Sequence, residues 1–362
     1  MLTYIISISI YQFLLQVRSE SVIIIFILND ERLGIKTMAI IEKITYLGQQ
    51  AVRVQTSQLE GVIVPSWGSN LIALKWRAGE IDLLRSPTDA EQYLLKPVLY
   101  GTPVLFPPNR IEDGTFTSNG RTYHFPINEV ERNNHIHGFL LDAVWTVDHA
   151  ETDGDRAVVE TTVLSEEVPA LYEAFPHKFT VRMQFVFEDN TVTQQFIIEN
   201  RDSSPIPWGV GYHTTFRVPL SAEGKSEQCT FQLEADKRWV LSERLLPTGE
   251  LEDFSFKQAL AEGMSLDGVI LDDVFQVAQQ GASESIIVDK EAGLRITYAG
   301  DENFKQWVVY TSDGKSGFVC PEPYTWVTNA PNVDLPAELT GFRVLAPGER
   351  AAVSTKLSIA QL

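Results

Sequence analysis

The chain has 362 residues, with 29 Lys and Arg against 48 Asp and Glu, a formal net charge of −19, and 44% apolar and 21% charged residues. That composition is globular, and the length suits one large all-β domain or two ordinary ones. The acidic balance repels phosphate backbones and anionic lipid, so nucleic acid and membrane are poor partners, and two cysteines, Cys229 and Cys320, exclude a disulfide framework and a Cys-rich zinc site. A cytoplasmic protein is the plain expectation.

Residues 1–17 carry no charged side chain, and 22–28 form a second apolar run. No basic region precedes these runs and no small-x-small site follows them, which makes a poor signal peptide. The interruption QVRSES leaves each run short of the ~18–20 apolar residues of a membrane span. Three basic residues (Arg18, Arg32, Lys36) balance three acidic ones (Glu20, Asp30, Glu31), and Met38 opens a new pattern of strands and turns. Residues 1–37 therefore read as an extension upstream of the natural start, and 38–362 as a single domain carrying the whole −19.

From Met38 onward short runs rich in Val, Ile, Thr and aromatic residues recur between turn signals, several with period-2 alternation, as in AVRVQTSQ, SNLIALKW and ERAAVSTKLSI. The stretch 179–200 reads as a hairpin, TVRMQFVF and TVTQQFIIEN joined at Glu188-Asp189-Asn190, so its two arms are antiparallel neighbours. Helical candidates are short, at 89–95 and 256–262. Strands do not alternate with helices, which favours an all-β sandwich or barrel over a doubly wound sheet.

Four segments look chemical. In 101–145, Asn109-Arg110 follows a proline pair, where regular pairing cannot continue, and residues 114–120 make a tight hairpin. Further on, His135-Ile136-His137-Gly138 puts two imidazoles on one face of an extended segment. An isolated His is more often a surface or satisfied core residue; two of only six in a loop-like NNHIHG weaken that reading. In PIPWGVGYHTTF, His213 is as readily a bonded strand residue as a functional one. In FVCPEPYTW, Glu322 stands between Pro321 and Pro323 near Tyr324 and Trp326. Desolvation there would raise its pKa toward a useful general-base value. In GVILDDVF, Asp272 and Asp273 end an apolar run, a common turn composition. Gly314-Lys315-Ser316 lacks the upstream glycine of a phosphate loop, position 309 being Val, and metal ligation by His135 and His137 stays open but under-supported, with Asp142 where a paired-His site carries a Glu.

Taken in order, LFPPNRIEDGTF, GRTYHFPIN, HGF, GYHTTF, LDDVF and CPEPYTW resemble the aldose 1-epimerase (mutarotase) family, from about residue 61 to 332. The resemblance implies a large antiparallel β-sandwich of the galactose mutarotase-like kind, without metal or cofactor. It also implies His213 as catalytic acid, Glu322 as catalytic base and His137 beside them. Asn109, Arg110, Asp272 and His135 would be sugar-binding residues. Two positions depart from the family pattern: Phe139 stands where a second Gly is usual, and Tyr212 where Asn is usual before the acid. Trp67, Trp208, Tyr324 and Trp326 could stack on a sugar, although core packing is the commoner role for such residues.

The implied reaction interconverts the α and β anomers of a free hexose. A base removes the C1 hydroxyl proton, an acid protonates the ring oxygen, the C1–C2 bond of the open form rotates, and closure reverses the proton movements. The alternatives are a hexose 6-phosphate epimerase, which would need basic residues such as Arg85, Arg110, Arg121 or Arg132, and a non-catalytic carbohydrate-binding protein on the same fold. The net charge tilts the choice toward a neutral sugar.

Overall fold

The computed structural model describes residues 38–221, 223–277 and 283–362, within one compact unit running from Lys36 to Leu362. The expected extension, 1–37, lies outside the described residues. None of the described helices is long and apolar enough to cross a membrane.

The described chain is mostly strand. A five-stranded meander takes Ile40–Tyr46, Gln49–Gln55, Leu59–Val64, Asn70–Trp76 and Ile81–Asp82 in sequence order. The first of two eight-stranded sheets runs Thr146–Asp153, Arg156–Leu164, Phe179–Glu188, Thr191–Asn200, Arg350–Gln361, Leu294–Gly300, Glu284–Asp289, Cys229–Leu233. The second runs Pro247–Glu252, Ala235–Leu241, Asp272–Val277, Gln306–Tyr310, Phe318–Tyr324, Gly211–Tyr212, Val104–Leu105, with Phe216–Arg217 also on Phe318–Tyr324. Their ladders are antiparallel, as the strand-rich sequence led us to expect.

The 179–200 hairpin forms with Glu188 opposite Thr191 and Asp189 at φ 50° in the turn. In its first arm Phe179, Val181, Met183, Phe185 and Phe187 are fully buried, which is the period-2 signature of a half-covered sheet. A smaller hairpin, Thr115–Ser118 with Arg121–His124, turns on Asn119-Gly120, both at positive φ, the preferred chemistry for a two-residue loop. The helical candidates correspond to Ala90–Leu95, where the Asp89 carboxylate accepts from the Gln92 amide at 2.8 Å, and Lys257–Glu262. Two further short helices, Pro169–Ala174 and Ala337–Thr340, lie where no periodicity was evident.

The two large sheets pack face to face. Tyr298 of the first meets Trp307 of the second with ring centroids 5.8 Å apart, and the Thr214 hydroxyl donates to Tyr298 Oη at 3.0 Å. Alternation then assigns the opposite face of the second sheet. Trp307 and Val309 turn toward the first sheet, so alternation sends Val308 and Tyr310 to the opposite face, where both line a cleft and Val308 is itself buried.

Candidate active site

Three neighbouring strands of the second sheet put four side chains on that outward face. Asp272 is opposite Tyr310 and Val308 is opposite Glu322, and directly paired residues share a face. Asp272 opens its strand, rather than ending one as expected from the sequence. Its neighbour Asp273 points the other way and pairs with Arg238 at 3.1 Å. Glu322 lies within Phe318–Tyr324 despite the prolines on either side. On the flank toward Gly211–Tyr212 and Phe216–Arg217, pairing involves only Phe318, Val319 and Tyr324. Pro321 and Pro323, which have no N–H to offer, stand in that gap.

His213 follows Gly211–Tyr212 directly, its amide donating to the Pro103 carbonyl at 3.2 Å. With Thr214 committed to the core, alternation sends the His213 ring to the Glu322 side. Gly211 permits the close approach: a Cβ there would lie 2.1 Å from the Tyr324 ring.

Arg110–Glu112 pairs with Asn134–Ile136 and brings a second wall. This strand ends at Ile136, and His137 takes φ 66°, so the alternation that would put His135 and His137 on one face is broken. His137 turns into the cleft, its ring 5.5 Å from that of His213. His135, expected to bind substrate, is instead a core residue. Its ring stacks 4.7 Å from Phe139, and Nδ1 donates to the Pro126 carbonyl at 2.8 Å. The next residue, Gly138, lies so close to Phe106 that a Cβ would be 1.9 Å from its carbonyl oxygen.

These walls enclose a cleft of about 360 Å³ lined by Asn109, Arg110, His137, His213, Asp272 and Glu322, together with residues the sequence reading did not single out, among them Lys96, Tyr310 and Leu245. Of the basic residues considered for a phosphate, Arg110 and Arg132 line it. Arg85 instead lies over the Tyr100 and Phe318 rings, and Arg121 over Tyr123. Phe139 and Tyr212, the two departures from the family pattern, are core residues behind the cleft, and Trp67, Trp208 and Trp326 are likewise core.

His213 Nε2 lies 3.1 Å from Glu322 Oε1, with both side chains almost wholly buried. A neutral ring nitrogen without hydrogen and a carboxylate would repel there, so the contact needs one shared proton. Burial pushes the Glu322 carboxyl well above the ordinary range, a rise that Asp272 adds to and that the Tyr324 hydroxyl and Arg110 oppose. Burial also pulls His213 down to about 3. Both shifts favour the tautomer that has the shared proton on Glu322. Desolvation lowers His137 as well, with help from His213 and Arg110. Nδ1 of both His137 and His213 is buried without a partner among the described residues.

The carboxylate and the guanidinium are each held from behind. Tyr324 Oη donates to Glu322 Oε2, and Asn109 Nδ2 donates to Tyr324 Oη at 3.4 Å. Arg110 Nε donates to both Glu129 oxygens, at 3.1 and 2.9 Å, and Nη2 to Oε1 at 3.0 Å. Such a two-pronged pair fixes the plane of the guanidinium. Glu129 carried no signal in the sequence, because its role appears only once the strand pairing brings it behind Arg110.

The aldose 1-epimerase family model matches residues 50–358. Human galactose mutarotase is 27% identical over 201 residues, 54% of this chain; the match takes in 55% of that protein, so the chain spans about half the length of such relatives. Maltose epimerase of Levilactobacillus brevis is 24% identical over 247 residues, 66% of each chain. Among solved structures, a galactose mutarotase-like protein from Clostridium acetobutylicum superposes with a TM-score of 0.84 at 30% identity, covering 90% of this chain and 99% of that one. Galactose 1-epimerase from Lactobacillus acidophilus shares the fold at a TM-score of 0.68 and 14% identity, covering 89% and 98%. On the extent of the family match and the near-complete superposition, the chain belongs to the aldose 1-epimerase family.

Proposed function

We propose that the protein is an aldose 1-epimerase that interconverts the α and β anomers of a sugar by acid/base ring opening and closure. The observation that carries this reading is the 3.1 Å contact between His213 Nε2 and Glu322 Oε1 on the floor of the cleft. A sugar whose O1 hydroxyl and ring oxygen O5 enter between these two groups meets a base and an acid together. Glu322 takes the proton from O1 as the O5–C1 bond breaks and the C1 carbonyl forms, and His213 gives a proton to O5. Rotation about C1–C2 presents the other carbonyl face, and O5 attacks C1 as both protons return.

A histidine pulled down to about 3 would be a poor acid if it drew its proton from solvent. Here the neutral pair and the ion pair are tautomers related by one transfer along the 3.1 Å contact. Arg110 favours the carboxylate, and hydroxyl groups of a bound sugar stand in for the water that burial removed. Each proton transfer by a positioned group contributes on the order of 10²–10⁴-fold, and no metal or cofactor enters the scheme. Asp272 and Asn109 accept and donate to sugar hydroxyls, and His137 and Arg110 face the ring oxygen.

The test is polarimetry or NMR exchange on freshly dissolved α-sugars with wild type, Glu322→Gln and His213→Ala. Loss of anomer equilibration in both variants, with sugar binding retained, supports the reading. Unchanged rates in Glu322→Gln would sink the assignment of the base.

A further inference from the structure

The lining of the cleft has a charge opposite to that of the chain. Three cationic side chains, Lys96, Arg110 and Arg132, face two carboxyl groups, Asp272 and Glu322, in a chain with 29 basic and 48 acidic residues. Burial also holds Glu322 toward its neutral form.

The three cations are not equally engaged. Arg110 is taken up by the two-pronged pair with Glu129. Arg132 makes one 3.3 Å contact with the same carboxylate through Nη1, and its other N–H groups have no partner among the described residues. The Lys96 ammonium has none among the described residues either.

Both stand on backbone held in place. The Lys96 amide donates to the Tyr93 carbonyl at 3.2 Å, and its own carbonyl accepts from Leu99 at 3.1 Å. The Arg132 carbonyl accepts from Arg244 Nε at 2.8 Å. Val98, Leu99, Ile136 and Leu245 share the lining and offer neither cation a counter-charge. A neutral hexose has no group that needs a free ammonium beside a guanidinium with N–H groups to spare. An oxyanion has, because charge-assisted hydrogen bonds are about twice as strong as neutral ones.

We propose that the sugar taken by this cleft carries an oxyanion substituent away from C1, a phosphate ester or a carboxylate, received by Lys96 and Arg132. This rests on the epimerase reading above and sets aside the tilt toward a neutral sugar drawn from total charge. The net charge of a chain acts over a Debye length, whereas a ligand in the cleft meets the side chains that line it.

The experiment measures anomer exchange by NMR for glucose and galactose, their 6-phosphates, and glucuronate and galacturonate. Wild type, Lys96→Met, Lys96→Arg and Arg132→Met are compared. The expected result is a kcat/KM for one class of anion at least roughly tenfold above that for the matching neutral sugar. Lys96→Met and Arg132→Met lower that ratio about tenfold or more, mainly through KM, and Lys96→Arg restores it. Preference for 6-phosphates identifies a phosphate ester, and preference for uronates a carboxylate. Acceleration of neutral sugars with no preference for anions, or a ratio unmoved by Lys96→Met, overturns this inference and leaves the epimerase reading standing. Acceleration of none of the six overturns both.

Discussion

Replacing Tyr324 with phenylalanine takes one oxygen from beneath the carboxylate and, besides that, only the 3.4 Å contact it accepts from Asn109 Nδ2. Tyr324 is fully buried in the strand that carries Glu322, so the ring remains and the packing is kept. Glu322 Oε2 loses its donor, while Oε1 keeps its contact with His213. A hydrogen bond to a charged group is worth about 1.5–3 kcal/mol, and the reaction needs the carboxylate charged. The expected loss in kcat is therefore roughly 10- to 150-fold. The sign of the pH effect follows from the same bond. The Tyr324 hydroxyl opposes the rise that burial imposes on Glu322, so removing it raises the carboxyl further. The basic limb of the kcat/KM profile, where the pair gives up its shared proton, then moves to higher pH by about one to two units. Anomer exchange followed by NMR between about pH 4 and 9 reads both effects. A fall in kcat with an unmoved basic limb would show that the phenol does not act through the carboxylate, and an unchanged profile would refute the reasoning outright.

Glu322→Gln should lose at least about 10²-fold in activity and gain relative stability as pH rises. A carboxyl whose folded pKa is raised stabilises the native state below its unfolded value of 4.5, and that contribution is lost as pH climbs through the folded value. The difference in Tm, variant minus wild type, should therefore grow with pH from near 4.5 upward; a flat difference contradicts the burial argument. Gly138→Ala combines a φ of 67° with a Cβ 1.9 Å from the Phe106 oxygen. It should cost about 3 kcal/mol in a denaturant titration, and a neutral outcome would mean that the turn beside His137 is not tightly held. His135→Leu leaves the Pro126 carbonyl without its donor. It should lower stability by about 1–3 kcal/mol while moving kcat/KM far less than Glu322→Gln, and a comparable loss of kcat/KM would return His135 to the site.

The sequence displays the sheets because each half-covered strand must repeat its apolar residues at period 2, as Phe179–Glu188 does. The short helices at Pro169–Ala174 and Ala337–Thr340 are too brief to establish a period of their own. Cleft-lining residues were legible where an unusual local composition marked them, as with Glu322 between two prolines and His213 two residues after Gly211. The error at His135 has a single cause: alternation applies only while the strand lasts, and this one ends at Ile136. Tyr310 and Glu129 gave no signal, since each owes its place to a partner distant in sequence, and Lys96 reads as an ordinary surface lysine until the fold brings it to the cleft. Tyr310, for example, faces the cleft because it lies opposite Asp272.

The left-handed backbone at His137 sets stability and chemistry against each other. A side chain at φ 66° costs roughly 1–2 kcal/mol, and its buried Nδ1 has no partner among the described residues. Glycine at this position would relax the backbone, remove the orphaned nitrogen and take the imidazole out of the cleft. Repeated selection for thermal resistance alone would therefore discard His137 early, long before it disturbed the sheets. What survived would keep the shape of the family and lose part of its site.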